Sequence, residues 1–385
     1  MFKKGLFFIT ITAIVVGFSI LSVTLWGGKS EEVVFKENII ISGTMTIQEF
    51  GEKNALSRSV LKEIFGLRDT SELNKTLSLY GSDEEVKLFV DKKLTLMSEG
   101  ESKNWLKIPL KFGLWLLFVF GIFFYFRKHR MTDKIRIILL SVSVVIFGIV
   151  LGSDPGPMGT VKDALVLYGA KKVVFIPRMI AMIVFLFMVF IVNKFICAWG
   201  CQLGVLQDLL YRITNSNKFN NQKLSFKIPF AVTNTIRVLF FVSMVGVAFI
   251  WAIDLIGFID PFKIFHPTVL SWASIAFIVV ILFMSMLVYR PWCHLFCPFG
   301  LIGWVVEKLS VVKISVNYEK CIACNKCVEA CPSKVMEAIL KNEKKTIPDC
   351  FACYSCREVC PVGAIDFSAK KRSIPPKGHF NKKAI

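Results

Sequence analysis

No cysteine occurs in the first 196 residues of this 385-residue chain, and all twelve that it has fall after them. A disulfide scaffold over the N-terminal half is thereby excluded, and the crowding of the thiols into four short motifs points to metal or redox chemistry. Histidine is scarce too, with four residues. No two of them stand on apolar segments as a bis-histidine haem would require. Acidic residues number 28 against 47 basic ones, and charged residues make up only 19% of a chain that is 54% apolar and holds 36 phenylalanines. So little charge over this length excludes an ordinary soluble protein and indicates a membrane protein in contact with lipid. The net charge of +19 does not indicate nucleic acid as a partner. Its lysines and arginines lie beside apolar runs and in the tail, where anionic lipid and the positive-inside bias account for them.

Six apolar segments approach or reach the ~20 residues that a bilayer helix needs: 5–26, 108–126, 137–152, 177–196, 236–253 and 270–289. Lys3 and Lys4 precede the first, Arg127, Lys128, Arg130, Lys134 and Arg136 follow the second, and Arg212, Lys218, Lys223 and Lys227 follow the fourth. These clusters predict a multi-pass protein of a prokaryotic cytoplasmic (inner) membrane with both termini in the cytoplasm. The first segment reads as an uncleaved anchor, because its apolar run exceeds a signal-peptide core and no A-x-A site follows.

Cys321, Cys324, Cys327 and Cys331 are followed by Pro332, and Cys350, Cys353, Cys356 and Cys360 by Pro361, so one C-x2-C-x2-C-x3-C-P run occurs twice. This spacing is that of a bacterial ferredoxin with two [4Fe-4S] clusters, in which the fourth cysteine of each run ligates the other cluster. The expected sets are Cys321, Cys324, Cys327 with Cys360, and Cys350, Cys353, Cys356 with Cys331. Zinc is the competing reading, but it takes four ligands and has little use for a third cysteine at this spacing. Ile322, Val328, Ile365 and Phe367 are expected to shield the pair. The fold class is thus an α-helical membrane protein of about six transmembrane helices with a C-terminal cytoplasmic α+β ferredoxin domain. Its parts are an anchor at 1–26, a small extracytoplasmic helical domain at 27–107, a polytopic core at 108–310, the ferredoxin domain at 311–368 and a basic tail at 369–385.

The 27–107 stretch carries 12 basic and 14 acidic side chains and no cluster of metal ligands. Ser57 and Ser71 are candidate N-caps, and Ser82 with Glu85 reads as a capping box. Docking of an exported partner and a helical spacer are both compatible with it.

A second repeat lies in the core. CAWGCQLGVLQDLL (197–210) and CHLFCPFGLIGWVV (293–306) align without gaps, pairing Cys197 with Cys293, Cys201 with Cys297 and Gly204 with Gly300. Each follows the last span of a two-helix unit with an Asp-Pro in its outer loop, Asp154-Pro155 or Asp260-Pro261, so the unit is duplicated. Both motifs are expected at the cytoplasmic face, with cysteines at i and i+4 on one helix face. A third cluster or metal site, thiols that cycle with a disulfide, and inert cysteines all fit. His266 and His294 could meet a quinone head group. Arg178, Lys194 and Arg237 read first as snorkelling cations, and Trp105, Trp199, Trp251, Trp272 and Trp292 as interface anchors.

Two C-x3-C motifs at the ends of paired spans, followed by two ferredoxin runs, resemble the NapH/NosR-type membrane polyferredoxins over about residues 137–367. The resemblance implies a cysteine-rich membrane core that moves electrons between the quinol pool, or a redox partner subunit, and an exported respiratory reductase. It carries over the eight ferredoxin cysteines as cluster ligands and Cys197, Cys201, Cys293 and Cys297 as the paired membrane motifs. NosR-like members also have a large exported flavin domain, for which 81 outer residues are too few, and Ser42-Gly43-Thr44-Met45 lacks the threonine expected at the fourth position of a flavin-attachment motif. An assembly factor acting through the C-x3-C thiols and a redox-sensing regulator are the rival classes.

Overall fold

The computed structural model describes residues 2–26, 39–101, 107–128, 131–153, 155–215, 226–267, 271–341, 347–369, 372–377 and 379–380. The fold is mostly helical, and the one sheet among these residues has two strands, β1 (Lys313–Val316) and β2 (Ile365–Ser368). Helices occur at all six expected apolar segments. Two of them, Lys107–Lys128 and Phe230–Ile250, are long and apolar enough to cross a membrane by length and composition. The first segment lies in one helix, Phe2–Trp26, and two of the others are bounded by identifiable backbone features. Ile176–Val192 opens at a proline and ends where Asn193 takes φ +59°. Trp272–Leu287 is capped by Ser271 and stops before Arg290 at φ +49° and Pro291. At 17 and 16 residues these helices are roughly 25 Å long, short of the ~30 Å hydrocarbon layer.

The segment at 137–152 is most of one helix that starts behind the Thr132 cap as Asp133–Ser143 and widens into a π-helix over Val144–Val150. Gly148 in that wide turn lies against Phe265; a Cβ there would come within 2.5 Å of the ring. The segments around the Asp-Pro of the two repeats therefore meet, and His266 Nε2 adds a 2.6 Å hydrogen bond with Gly152 O. Asp154 lies outside the described residues. Asp260 caps a short 3-10 helix by accepting from Phe262 N at 2.9 Å. The repeats are not copies throughout: after its Asp-Pro the first has a 15-residue helix, Pro157–Lys171, where the second has the short 3-10 helix Pro261–Phe265.

Residues 39–101 form a helical unit with its own core of Ile47, Phe50, Leu61, Ile64, Leu77, Val86, Val90 and Leu94. Ser57 caps Arg58–Phe65 as the sequence suggests, whereas Ser71 lies inside a 3-10 helix and caps nothing. Ser82 forms half of the expected box, with Glu85 accepting from both its N–H (2.9 Å) and its hydroxyl (3.0 Å). The reciprocal box is at Thr46 and Glu49, where the sequence carries a T-x-x-E pattern. Thr46→Ala is expected to cost about 1 kcal/mol locally. Hydrogen exchange should then quicken across Ile47–Asn54 and nowhere else, and unchanged exchange would show that the cap does not hold the helix.

Candidate iron-sulfur and thiol sites

β1 and β2 pair antiparallel, with Lys313 opposite Ser368 and Val316 opposite Ile365. They clamp the ends of the segment that carries both ferredoxin runs. Each run is folded alike. Ala323 and Asn325 take positive φ in the first, Ala352 and Tyr354 at the matching positions in the second, and a short helix follows each pair. Alternating left-handed residues curl a loop so that its amides face inward, toward bound sulfur. An amide-to-sulfur bond is present from Ala364 N to Cys360 Sγ at 3.2 Å.

Cys331, Cys350, Cys353 and Cys356 line one cavity, together with Ile314, Val335, Met336, Ile339 and Phe351. Like-charge coupling ties Cys331 to Cys353 and Cys356, and it ties Cys327 to Cys321, Cys324 and Cys360. The fourth cysteine of the first run is thus brought to the second run's first three, and Cys360 is brought near Cys327 of the first. Burial, reinforced by Cys321 and Cys324, pushes the Cys327 thiol up to about 11. Cys353 goes the other way: burial opposes ionisation, but Arg212 and Arg136 outweigh it and hold the thiol below its usual value. Among the described residues no three His, Cys, Asp or Glu side chains gather as closely as a single metal ion would hold them. Of the expected shields, Ile365 and Phe367 are buried and Val328 half-buried, but Ile322 is exposed and does not contribute.

The C-x3-C motifs depart from expectation in form. Each is a helix break rather than one helix face. Phe195–Trp199 stops at Gly200 and Gln202–Thr214 begins after Cys201; Pro291–Leu295 stops at Phe296 and Pro298–Glu307 begins after Cys297. The second cysteine of each motif is therefore the N-cap of the second helix, and Cys297 Sγ accepts from Gly300 N at 3.3 Å. The i, i+4 geometry fails because Gly200 in one motif and Pro298 in the other end the first helix before it can carry both thiols.

The breaks are tied to distant parts of the helical core. Trp115, in the first half of Lys107–Lys128, donates to Gly200 O at 2.8 Å, and Gln202 donates to Pro155 O, in the expected outer loop, at 3.1 Å. By contrast Phe126, at the far end of that helix, stacks on Tyr354 of the ferredoxin run with centroids 4.1 Å apart. The four core thiols are buried and mutually coupled. A side chain at Gly300 would strike Cys293 O at 2.7 Å and one at Gly204 would meet Cys197 O at 3.0 Å, which explains the paired glycines.

Lys194 and Arg290 stand at matching positions, three residues before the first cysteine of each motif, and each reaches into the other motif. Lys194 Nζ donates to Gly300 O (2.7 Å), and Arg290 donates to Cys197 O and Ala198 O (2.8 Å for the latter). Each also meets a buried carboxylate. Arg290 pairs with Asp208 at 2.8 Å, which also accepts from Arg212 at 2.7 Å and Tyr289 at 3.2 Å. Lys194 pairs with Asp349 at 2.8 Å, and Arg237 with the same carboxylate at 2.6 Å. Asp349 immediately precedes Cys350, so the ferredoxin loop is latched to both repeats of the core. Burial pushes His294 down to about 4, so its 3.7 Å contact with Asp349 is not an ion pair at neutral pH.

Several readings of single residues are thereby corrected. Lys194 and Arg237 are buried ion-pair partners rather than snorkelling cations, and Arg178 binds Glu99 (3.0 Å) and Asp163 (3.3 Å). Trp199 and Trp292 are core residues at 2% and 1% exposure, while Trp251 and Trp272 are exposed as anchors would be. Trp105 lies outside the described residues. Asp208 and Asp349 were not singled out because a lone aspartate beside a cysteine run carries no spacing signal.

Two known domain families match parts of the chain. The 4Fe-4S dicluster domain matches residues 314–367, and the 4Fe-4S binding domain matches twice, at 174–227 and 270–317. The first match spans both ferredoxin runs, and the other two each span one C-x3-C unit. Among curated proteins, one of Escherichia coli (strain K12) named "Putative electron transport protein YccM" is 27% identical over 169 residues, 41% of this chain and 46% of that protein. The uncharacterized protein MJ0750 of Methanocaldococcus jannaschii is 24% identical over 168 residues, 43% of this chain and 70% of that protein. MJ0749 of the same archaeon is 23% identical over 169 residues, 40% and 58% respectively. The matched segment thus spans about half the length of YccM. No solved structure matches. The chain is a mostly helical iron-sulfur protein with a C-terminal 4Fe-4S ferredoxin domain.

Proposed function

We propose that the chain is a multi-pass membrane electron carrier, passing electrons between quinol or a redox subunit and an exported respiratory reductase. Cys321, Cys324, Cys327 and Cys360 hold one [4Fe-4S] cluster in this reading, and Cys350, Cys353, Cys356 and Cys331 the other. The clusters supply one-electron chemistry when bound. The observation that carries the reading is the latch: one ferredoxin loop is locked by Asp349 onto the helical core that contains four further thiols. A free ferredoxin would have no use for it. The similarity to YccM supports electron transport.

Membrane crossing is supported by the two long apolar helices and by the large apolar side chains that the core turns outward, such as Leu117 (72% exposed), Ile183 (61%) and Leu239 (62%). Such a belt is costly in water and at home in lipid.

Cys197, Cys201, Cys293 and Cys297 form a third metal or cluster site in this reading, supported by the 4Fe-4S binding domain matches over both units. Their exposures of 5–8% weigh against thiol exchange with another protein, as an assembly factor would need. Anaerobically purified protein should hold roughly eight irons in two cubanes, with more if the core site is filled. Replacing the four core cysteines by serine should remove about two to four irons. Unchanged iron would eliminate the core site, and an iron-free, zinc-loaded preparation would sink the whole reading. Reduction by a quinol analogue should load the clusters in membranes, and failure to do so would remove quinol as donor.

A further inference from the structure

Ser355 follows Cys353 by two residues and is buried against the helical core. A hydroxyl carries one hydrogen and two lone pairs. Arg212 Nη2 donates to Ser355 Oγ at 3.0 Å and Arg136 Nη1 at 3.4 Å, so both lone pairs are engaged. Cys353 Sγ lies 3.5 Å from the same oxygen. Guanidinium groups cannot accept, and a cluster-ligating thiolate has no proton to give. The Ser355 hydrogen therefore goes to the Cys353 sulfur. Both arginines are carried by helices outside the ferredoxin domain and held there, Arg136 by Asp133 at 3.3 Å and Arg212 by Asp208 at 2.7 Å, while Glu358 of the domain itself meets Arg136 at 2.9 Å. The first run has Lys326 at the position of Ser355, and no hydroxyl there.

We propose that Ser355, oriented by Arg136 and Arg212, is a positioning residue that raises the reduction potential of the cluster held by Cys350, Cys353, Cys356 and Cys331. Reduction adds negative charge to a cluster, and a hydrogen bond to its sulfur, backed by two cations, favours the more negative state. That cluster, the one nearer the helical core, becomes the higher-potential member of the pair, and electrons rest there. The inference depends on the ligand sets proposed above.

The test is a potentiometric titration of the full-length, anaerobically purified protein, with dithionite supplying the electron and EPR reading each cluster. Ser355 keeps its proton throughout. Ser355→Ala should shift the reduced-to-oxidised ratio of one cluster about tenfold toward oxidised at fixed potential, or 59 mV for one electron. The other cluster and the iron content should stay as in the parent. Should the alanine variant lose iron, Ser355→Thr against Ser355→Val gives the same comparison, since the two differ in the hydroxyl and little in shape. Two unshifted midpoints with full iron overturn the inference alone. A parent protein without two cubanes overturns the ligand reading beneath it.

Discussion

Replacing Asp349 by asparagine should destabilise the attachment of the ferredoxin domain by about 3–5 kcal/mol, the range found when one member of a buried ion pair is removed. Asp349, Lys194 and Arg237 are all essentially without solvent contact. Burial by itself would raise the Asp349 carboxyl, but Lys194 and Arg237 outweigh it and hold the group at about 2. It is therefore an anion at neutral pH, and its loss strands two cations. Arg237 retains Asn234 at 2.8 Å, and Lys194 retains Gly300 O, neither of which offers a charge. Thermal denaturation in detergent, followed by cluster absorbance, should show early loss of the clusters. An unchanged midpoint would mean that the latch does not hold the loop. Exchanging the whole trio for apolar side chains, Lys194→Met with Arg237→Leu and Asp349→Leu, should recover much of the loss, because the desolvation cost disappears along with the attraction.

The second large effect concerns which cysteines act together. Cys331→Ala should abolish the same cluster signal as Cys353→Ala, and Cys360→Ala the same signal as Cys324→Ala, each leaving about four of roughly eight irons. The reason is spatial: Cys331 lines the cavity of Cys350, Cys353 and Cys356, while Cys360 couples to Cys327 of the other run. EPR of the four variants, compared in pairs, decides it. If Cys331→Ala removed instead the signal that Cys324→Ala removes, the crossed assignment would fail.

Particular residues show how far the sequence could be read. The ferredoxin runs, the gapless C-x3-C repeat and the six apolar segments are periodic or spaced patterns, and the fold contains a counterpart of each. Ser57 was legible as a cap because capping depends on residues three apart. Ser71 misled, since the next turn closed as a 3-10 helix instead. The C-x3-C geometry was misread because i, i+4 facing presumes an unbroken helix, and Gly200 and Pro298 break it. Long-range polar partners are beyond the reach of the sequence altogether: the ion pair of Lys194 and Asp349 joins residues 155 apart, and the hydrogen bond of Arg136 to Ser355 residues 219 apart.

What the sequence determined by itself was chemical and local: a thiol-free N-terminal half, two cubane-type ligand runs, a repeated thiol motif and apolar segments of near-spanning length. Such features reside in composition and short spacing, which survive without knowledge of the fold. What only the tertiary structure decided was which charges are buried together, that the core thiols are buried, and that the ferredoxin loop is latched by Asp349 to Lys194 and Arg237. Charge in a sequence carries no record of its solvent. Lys194 reads as a snorkelling cation until packing removes its water, and only then does a carboxylate from another domain become the partner it requires.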